Sequence, residues 1–430
     1  MHAPSRTRLQ QAKSIAIVSS GNFLEMYDFM VFGYYAQAIS RAFFPGDNDV
    51  TKLLLTFLTF GAGFLMRPIG AVLLGAYIDK HGRRQGLILT LGLMALGTLA
   101  IAITPTYAQI GIAAPFIVLA GRLVQGLSAG VELGGVSVYL SEIAPPKKKG
   151  FYVSWQSASQ QLAVVFAALI GLVLNATLGK EAMGDWGWRI PFIIGCVMIP
   201  FLLLIRRLLE ESPAFLAQPE RPHLHEVVRQ LCANWFLVLR GVGMVMMTTV
   251  FFYLITAYTP TFGQKELKLT AVEAFLATLC VGVSNFIILP LSGALSDKIG
   301  RKPILISAAL VGLVSCYPAL HWLVADPSFE AFLAVLMLFS AIYGVYNGAM
   351  VVFLTEVMPA RVRTTAFSLS YSLAAGLLGG FTPFIATALI DKTQDKAIPG
   401  LWLCLAAAVG LVSVLSFTLG KKNRLKEALA

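Results

Sequence analysis

The chain of 430 residues is 57% hydrophobic and only 13% charged, with 33 Lys and Arg against 22 Asp and Glu and a formal net charge of +11. Soluble domains average about 25% charged residues, so a water-soluble globule of this length is excluded and lipid must cover most of the surface. The five cysteines, Cys196, Cys232, Cys280, Cys316 and Cys404, have neither metal-ligand nor redox spacing and read as packing thiols.

A helical span needs about 20 apolar residues. Behind a basic N-terminal segment, residues 1–14, twelve candidate spans follow. They run at about 15–38, 53–78, 86–105, 112–140, 151–175, 189–206, 237–260, 273–296, 303–324, 331–355, 364–390 and 400–420. The first apolar run carries acids and lacks a small-residue cleavage site, so it reads as a retained span and not as a signal peptide.

On the first span, "NFLEMYDF" sets Asn22, Glu25 and Asp28 three residues apart, on one helical face. The second span carries Arg67 near its middle and ends at "GAYIDKHGRR". On the fourth, Arg122, Gln125 and Glu132 lie within roughly a quarter-turn of one another, with Ser137 further on. The fifth adds Gln156 and Gln160, and Arg189 stands near the start of the sixth. Residues 207–236 hold the prolines, glutamates and histidines of a polar linker. Beyond it the spans are nearly free of ionisable groups and offer Asn285, Tyr346 and Asn347; residues 421–430 form a basic tail.

With the N-terminus inside, "KHGRR", "PPKKKG", the Arg pair at 206–207, "KIGRK", "ARVR" and "KKNRLK" all fall on the cytoplasmic side, the bias that orientation rules require. The positive charge is then topology, and no nucleic-acid partner is needed to explain it. The chain also repeats itself: "GALSDKIGRK" (293–302) aligns with "GAYIDKHGRR" (75–84) residue for residue, 218 positions on, and "TEVMPARVRT" echoes "SEIAPPKKKG". The same interval carries Arg67 onto Asn285. Two parallel six-span halves are expected, 15–206 and 237–420.

The doubled G-x-x-x-D-K-x-G-R-[RK] motif resembles the defining signature of the major facilitator superfamily. "GNFLEMYDF", "FLMRPIGA", "GRLVQGLSAGVELGG" and "WGWRIPF" further resemble the metabolite:proton symporter family within it, and "SAGVELGGVSVYLSEIA" with "WQSASQQ" its citrate–proton branch. The resemblance implies an all-α integral membrane fold of twelve helices in two bundles around a central cavity, alternating access, and proton-coupled import of citrate. Related branches take tricarballylate, 2-oxoglutarate, other dicarboxylates or betaines, and a non-transporting sensor on the same fold is the reading from another class. It also implies a bacterial cytoplasmic membrane, both termini cytoplasmic, a functional monomer and no cofactor. Gly75, Asp79 and Arg83, with Gly293, Asp297 and Arg301, would form the gating motif.

A charge at the bilayer centre costs on the order of 3 kcal/mol even on lenient scales, so each such group should face a cavity or a partner. Guanidinium groups bind carboxylates as a bidentate fork. Arg67 and Arg122 are therefore the expected anion clamp, with Arg189 nearer the mouth. Asn22, Gln125, Ser137, Gln156, Gln160, Asn285, Tyr346 and Asn347 are expected to line the substrate. Glu25 and Asp28 are the expected proton-coupling pair, with Glu132 as an alternative relay; either acid can equally be a permanent ion-pair partner of an arginine. No nucleophile–base pair, metal set or nucleotide loop is visible.

Overall fold

The computed structural model describes residues 21–81, 83–130, 132–145, 147–207, 229, 233–358 and 363–427, with some helical side chains next to the gaps outside the described set. The described helices group into twelve spans. The first, α1, is Gly21–Tyr34 continued past Tyr35 by Ala36–Phe43. Next come α2 (Asp49–His81), α3 (Arg83–Ile103), α4 (Ala113–Ala129 then Glu132–Ile143), α5 (Lys149–Asp185) and α6 (Ile190–Arg207). The second half holds α7 (Trp235–Ile255), α8 (Ala271–Ile299), α9 (Arg301–Ala325) and α10 (Phe329–Val357). Then α11 runs as Arg363–Ala374, a π-turn at Ala375–Gly379 and Thr382–Thr393, and α12 is Pro399–Glu427. Among the described residues eight helices are long and apolar enough to cross a membrane, and Ile88–Ile103, Ala113–Ala129 and Gly187–Phe201 are shorter apolar helices.

Composition explains the arrangement. On α2, Leu58, Leu65, Ile69 and Leu73 are exposed while Phe57, Phe60, Phe64 and Arg67 are buried, so the lipid face and the interior face alternate at helical spacing. Polar side chains supply the helix starts. The Thr270 hydroxyl accepts from the Glu273 N–H at 3.2 Å, and the Glu273 carboxylate accepts from the Thr270 N–H at 2.8 Å, a reciprocal cap on α8. Gly300, at φ +92°, takes the left-handed conformation that lets α9 follow α8 with one residue between them.

Small residues let the helices approach. A Cβ on Gly126 of α4 would overlap the Gly63 carbonyl of α2, and one on Gly293 of α8 would overlap the Gly150 carbonyl of α5. The α5–α8 pair is the most extensive helix contact and joins the two halves along its length. Gly150 meets Gly293 at one end, Gly282 meets Val164 and Val165 midway, and Gly171 meets Phe275 at the other end. Near that second end Gly33 of α1 also lies against Ala257, just past α7. Among the described residues the two halves therefore touch at both ends of this seam.

On the fourth span Ala113–Ala129 is followed by a turn at Gly130, residue 131 lies outside the described residues, and Glu132–Ile143 follows. One expected boundary is corrected. The fifth extends to Asp185 across a break at Gly179, where φ is +75°. Cys196, Cys280, Cys316 and Cys404 are free thiols, as expected of packing residues; Cys232 lies outside the described residues.

Candidate functional site

The interior of the first half holds the ionisable groups. Arg67 and Arg122 are 1% and 0% exposed, and Glu25 and Asp28 are 7% and 0%. Arg67 Nη2 donates to Glu25 Oε1 at 2.8 Å, a buried ion pair between α2 and α1. Both guanidinium groups lie over the Phe29 ring, at 4.9 Å for Arg67 and 4.3 Å for Arg122. Phe64 also covers Arg67, and Phe32 and Phe60 cover Arg122. The aromatic faces stabilise two cations that would otherwise meet bare hydrocarbon.

Arg122 belongs to a second chain of contacts. Its Nη1 donates to Gln125 Oε1 at 2.7 Å, and Gln125 Nε2 donates to Thr98 Oγ1 at 3.0 Å. The Thr98 hydroxyl in turn bonds Asp28 Oδ2. Neither Nε nor Nη2 of Arg122 has a hydrogen-bond partner, and neither has Asp28 Oδ1. Those two nitrogens form one edge of the guanidinium, the edge a carboxylate takes bidentately. A buried donor edge and a buried acceptor left unpaired are costly, and an anion at Arg122 with a proton at Asp28 would satisfy both.

The second half presents hydroxyls and amides. Tyr253 of α7 stacks edge-on against Phe64 at 5.0 Å and Phe60 at 5.9 Å. Tyr253 and Tyr371 of α11 both stand within electrostatic reach of Arg67 and Glu25. Asn285 Oδ1 accepts from Ser340 Oγ at 2.7 Å, and its amide donates across the halves to Gln161 Oε1 at 3.5 Å. Asn347 Nδ2 donates to the Tyr343 hydroxyl at 3.2 Å while its Oδ1 is unpaired.

Profile comparison decides the family: the model of the Major Facilitator Superfamily matches residues 18–383. The chain belongs to the Major Facilitator Superfamily. It is 54% identical over 412 residues to a citrate-proton symporter of Salmonella typhi, covering 96% of this chain and 95% of that protein. It is 55% identical over 400 residues to a citrate-proton symporter of Klebsiella pneumoniae, covering 93% and 90%. Among solved structures, a D-xylose-proton symporter superposes with a TM-score of 0.76 at 19% identity, covering 95% of this chain and 97% of that one. That last likeness speaks to the superfamily fold alone.

Within this superfamily fold the remaining expected residues are spread out. Arg189 donates to the carbonyls of Ala102 and Thr104, both at 2.7 Å, and lies over Trp188, tying the end of α3 to the start of α6. The Tyr346 hydroxyl donates to the Met244 carbonyl at 3.2 Å, inside the second half. Gln156 accepts from Ser157 Oγ at 2.9 Å and keeps an unpaired Nε2; Gln160 and Ser137 are buried. The side chains of Asn22, Glu132, Gly75, Asp79 and Arg83 lie outside the described residues. The second motif copy is described. Asp297 accepts from the Gly150 and Phe151 N–H groups at 2.8 and 3.0 Å, and Arg301 bonds Asp297 and Glu356 at 2.8 and 3.1 Å.

Thr98, Gln161 and Tyr371 were missed by sequence reasoning. Thr98 is a neutral residue in an apolar stretch, where only the four-residue spacing of Thr90 to Thr98 through Met94 hints that α3 has an inward polar stripe, while Gln161 closes the polar run "WQSASQQ" and Tyr371 stands among serines.

Proposed function

We propose that the chain is a proton-coupled symporter that imports citrate across the bacterial cytoplasmic membrane by alternating access. Identity of 54% and 55% to two citrate-proton symporters, over more than nine-tenths of the chain, supports the substrate and the coupling ion. The observation that carries the mechanism is the unpaired Nε–Nη2 edge of Arg122, joined to Asp28 through Gln125 and Thr98.

Charge balance supplies the coupling. Empty, the cluster is neutral: Glu25 offsets Arg67 and Asp28 offsets Arg122. A citrate carboxylate on Arg122 adds negative charge among buried groups, where an uncompensated ion costs several kcal/mol. A proton on Asp28 offsets one of the anion's charges, so anion and proton enter together and leave together. Arg67 supplies the second cationic surface, and Tyr253, Tyr371 and Asn347 close over the substrate from the other half. The bundles span 15–206 and 237–420, the linker is 207–236, and residues 1–14 and 421–430 are cytoplasmic. The working unit is a monomer in the bilayer.

Uptake into proteoliposomes tests this. Labelled citrate should accumulate under an inward proton gradient and the accumulation should collapse with a protonophore, whereas accumulation indifferent to both pH and voltage gradients refutes the coupling. Arg122→Lys, which keeps the charge and loses the fork, should raise the citrate KM at least tenfold. Competition by tricarballylate, 2-oxoglutarate and betaine reads the substrate: unlabelled citrate should compete best.

A further inference from the structure

Thr98 and Gln125 are the two uncharged links between the proposed proton site and the proposed anion site, and Thr98 is the one that touches the acid. Its hydroxyl has a single proton and two acceptors within reach, Asp28 Oδ2 and the Met94 carbonyl at 2.9 Å on its own helix. Its oxygen also accepts from Gln125 Nε2 at 3.0 Å. The charged and titratable groups near Asp28 are Arg122 from α4, Cys196 from α6 and Tyr27 on its own helix, with Arg67 of the Arg67–Glu25 pair also over the Phe29 ring that Arg122 covers. Thr98, from α3, is the side chain that hydrogen-bonds the carboxylate.

We propose that Thr98 is a positioning residue that lets Asp28 gain and lose its proton without disturbing the support of Arg122. The proposal rests on the symport reading above. With Asp28 ionised, the Thr98 hydroxyl donates to the carboxylate and accepts from Gln125. With Asp28 protonated, the carboxyl donates to Thr98 Oγ1, and the Thr98 proton turns to the Met94 carbonyl. The oxygen then uses both lone pairs, for Asp28 and for Gln125. The Asp28–Thr98 and Gln125–Thr98 bonds are kept in both states; the direction of the first reverses, and the bond to the Met94 carbonyl is made only when Asp28 is protonated. Gln125 therefore holds its amide in one orientation throughout, with Oε1 on Arg122 Nη1 and the Nε–Nη2 edge left for a carboxylate.

A hydroxyl is required and a methyl is not, which separates this role from packing. Thr98→Val keeps the shape and removes the bond that stabilises ionised Asp28. In proteoliposomes the citrate KM should rise several-fold, because Gln125 is free to turn its amide. The pH at which uptake is half-maximal should move alkaline by about one unit, the loss expected for one hydrogen bond to a carboxylate. Thr98→Ser should restore both. Should Thr98→Val fail to assemble, Thr98→Ala is compared with Thr98→Ser in the same two readouts. An unchanged KM and pH profile in the variant lacking the hydroxyl overturns the proposal. So does equal impairment in Ser and Val variants with no shift in profile, since that marks a packing role. Failure of the symport reading looks different: the unsubstituted protein itself would show no gradient-driven citrate accumulation.

Discussion

Asp297→Ala should loosen the end of the molecule at which α8 meets the start of α5. The Asp297 carboxylate caps two N–H groups in the first turn of α5, at 2.8 and 3.0 Å, and is only 7% exposed. Those donors have no partner within their own helix, and the positive end of the helix dipole adds to the attraction. Hydrogen bonds to a charged group contribute roughly 1.5–3 kcal/mol each, so the lower estimate for the pair is about 3 kcal/mol, a shift of about a hundredfold in the open-to-closed ratio at that end. Ser154, which is fully buried beside Gly293, reports the opening. In a protein stripped of its native cysteines and carrying Ser154→Cys, maleimide should react about a hundredfold faster once Asp297 is replaced. A labelling rate within twofold of the parent would refute the idea that this cap holds the end shut.

Two further outcomes follow from Arg67 and Arg189. Glu25→Gln leaves Arg67 charged and without its ion-pair partner in an apolar cage, which should cost about 3–5 kcal/mol; replacing both partners, Arg67→Met with Glu25→Leu, should recover most of that stability although transport stays lost. Thermal unfolding in detergent checks both, and a single variant as stable as the parent would show that the pair contributes nothing. Arg189→Ala removes two bonds to the Ala102 and Thr104 carbonyls and should lower stability by roughly 2–4 kcal/mol with the citrate KM unchanged. A large rise in KM would place Arg189 in the binding path after all.

The sequence announces the twelve spans because hydrophobicity summed over a span leaves few alternatives, and every expected span overlaps a helix. It announces the interior arginines and acids for the same reason: charge in lipid has to face inward. It does not announce partners. Glu25 and Asp28 are three residues apart on one helix, and their different fates, one bound to Arg67 and the other to Thr98, depend on which neighbouring helices reach them. The aromatic cage of Phe29, Phe32, Phe60 and Phe64 reads in sequence as plain hydrophobic filling.

The seam between α5 and α8, in contact from Gly150 to Gly171, has a kinetic consequence. A dissolved substrate meets an Arg122 with no exposed surface, so each binding event waits for the packing around it to part. Raising the concentration outside should hasten capture only to a ceiling set by the frequency of that parting, and beyond it a crowd of substrate waits at the same pace as a queue of one.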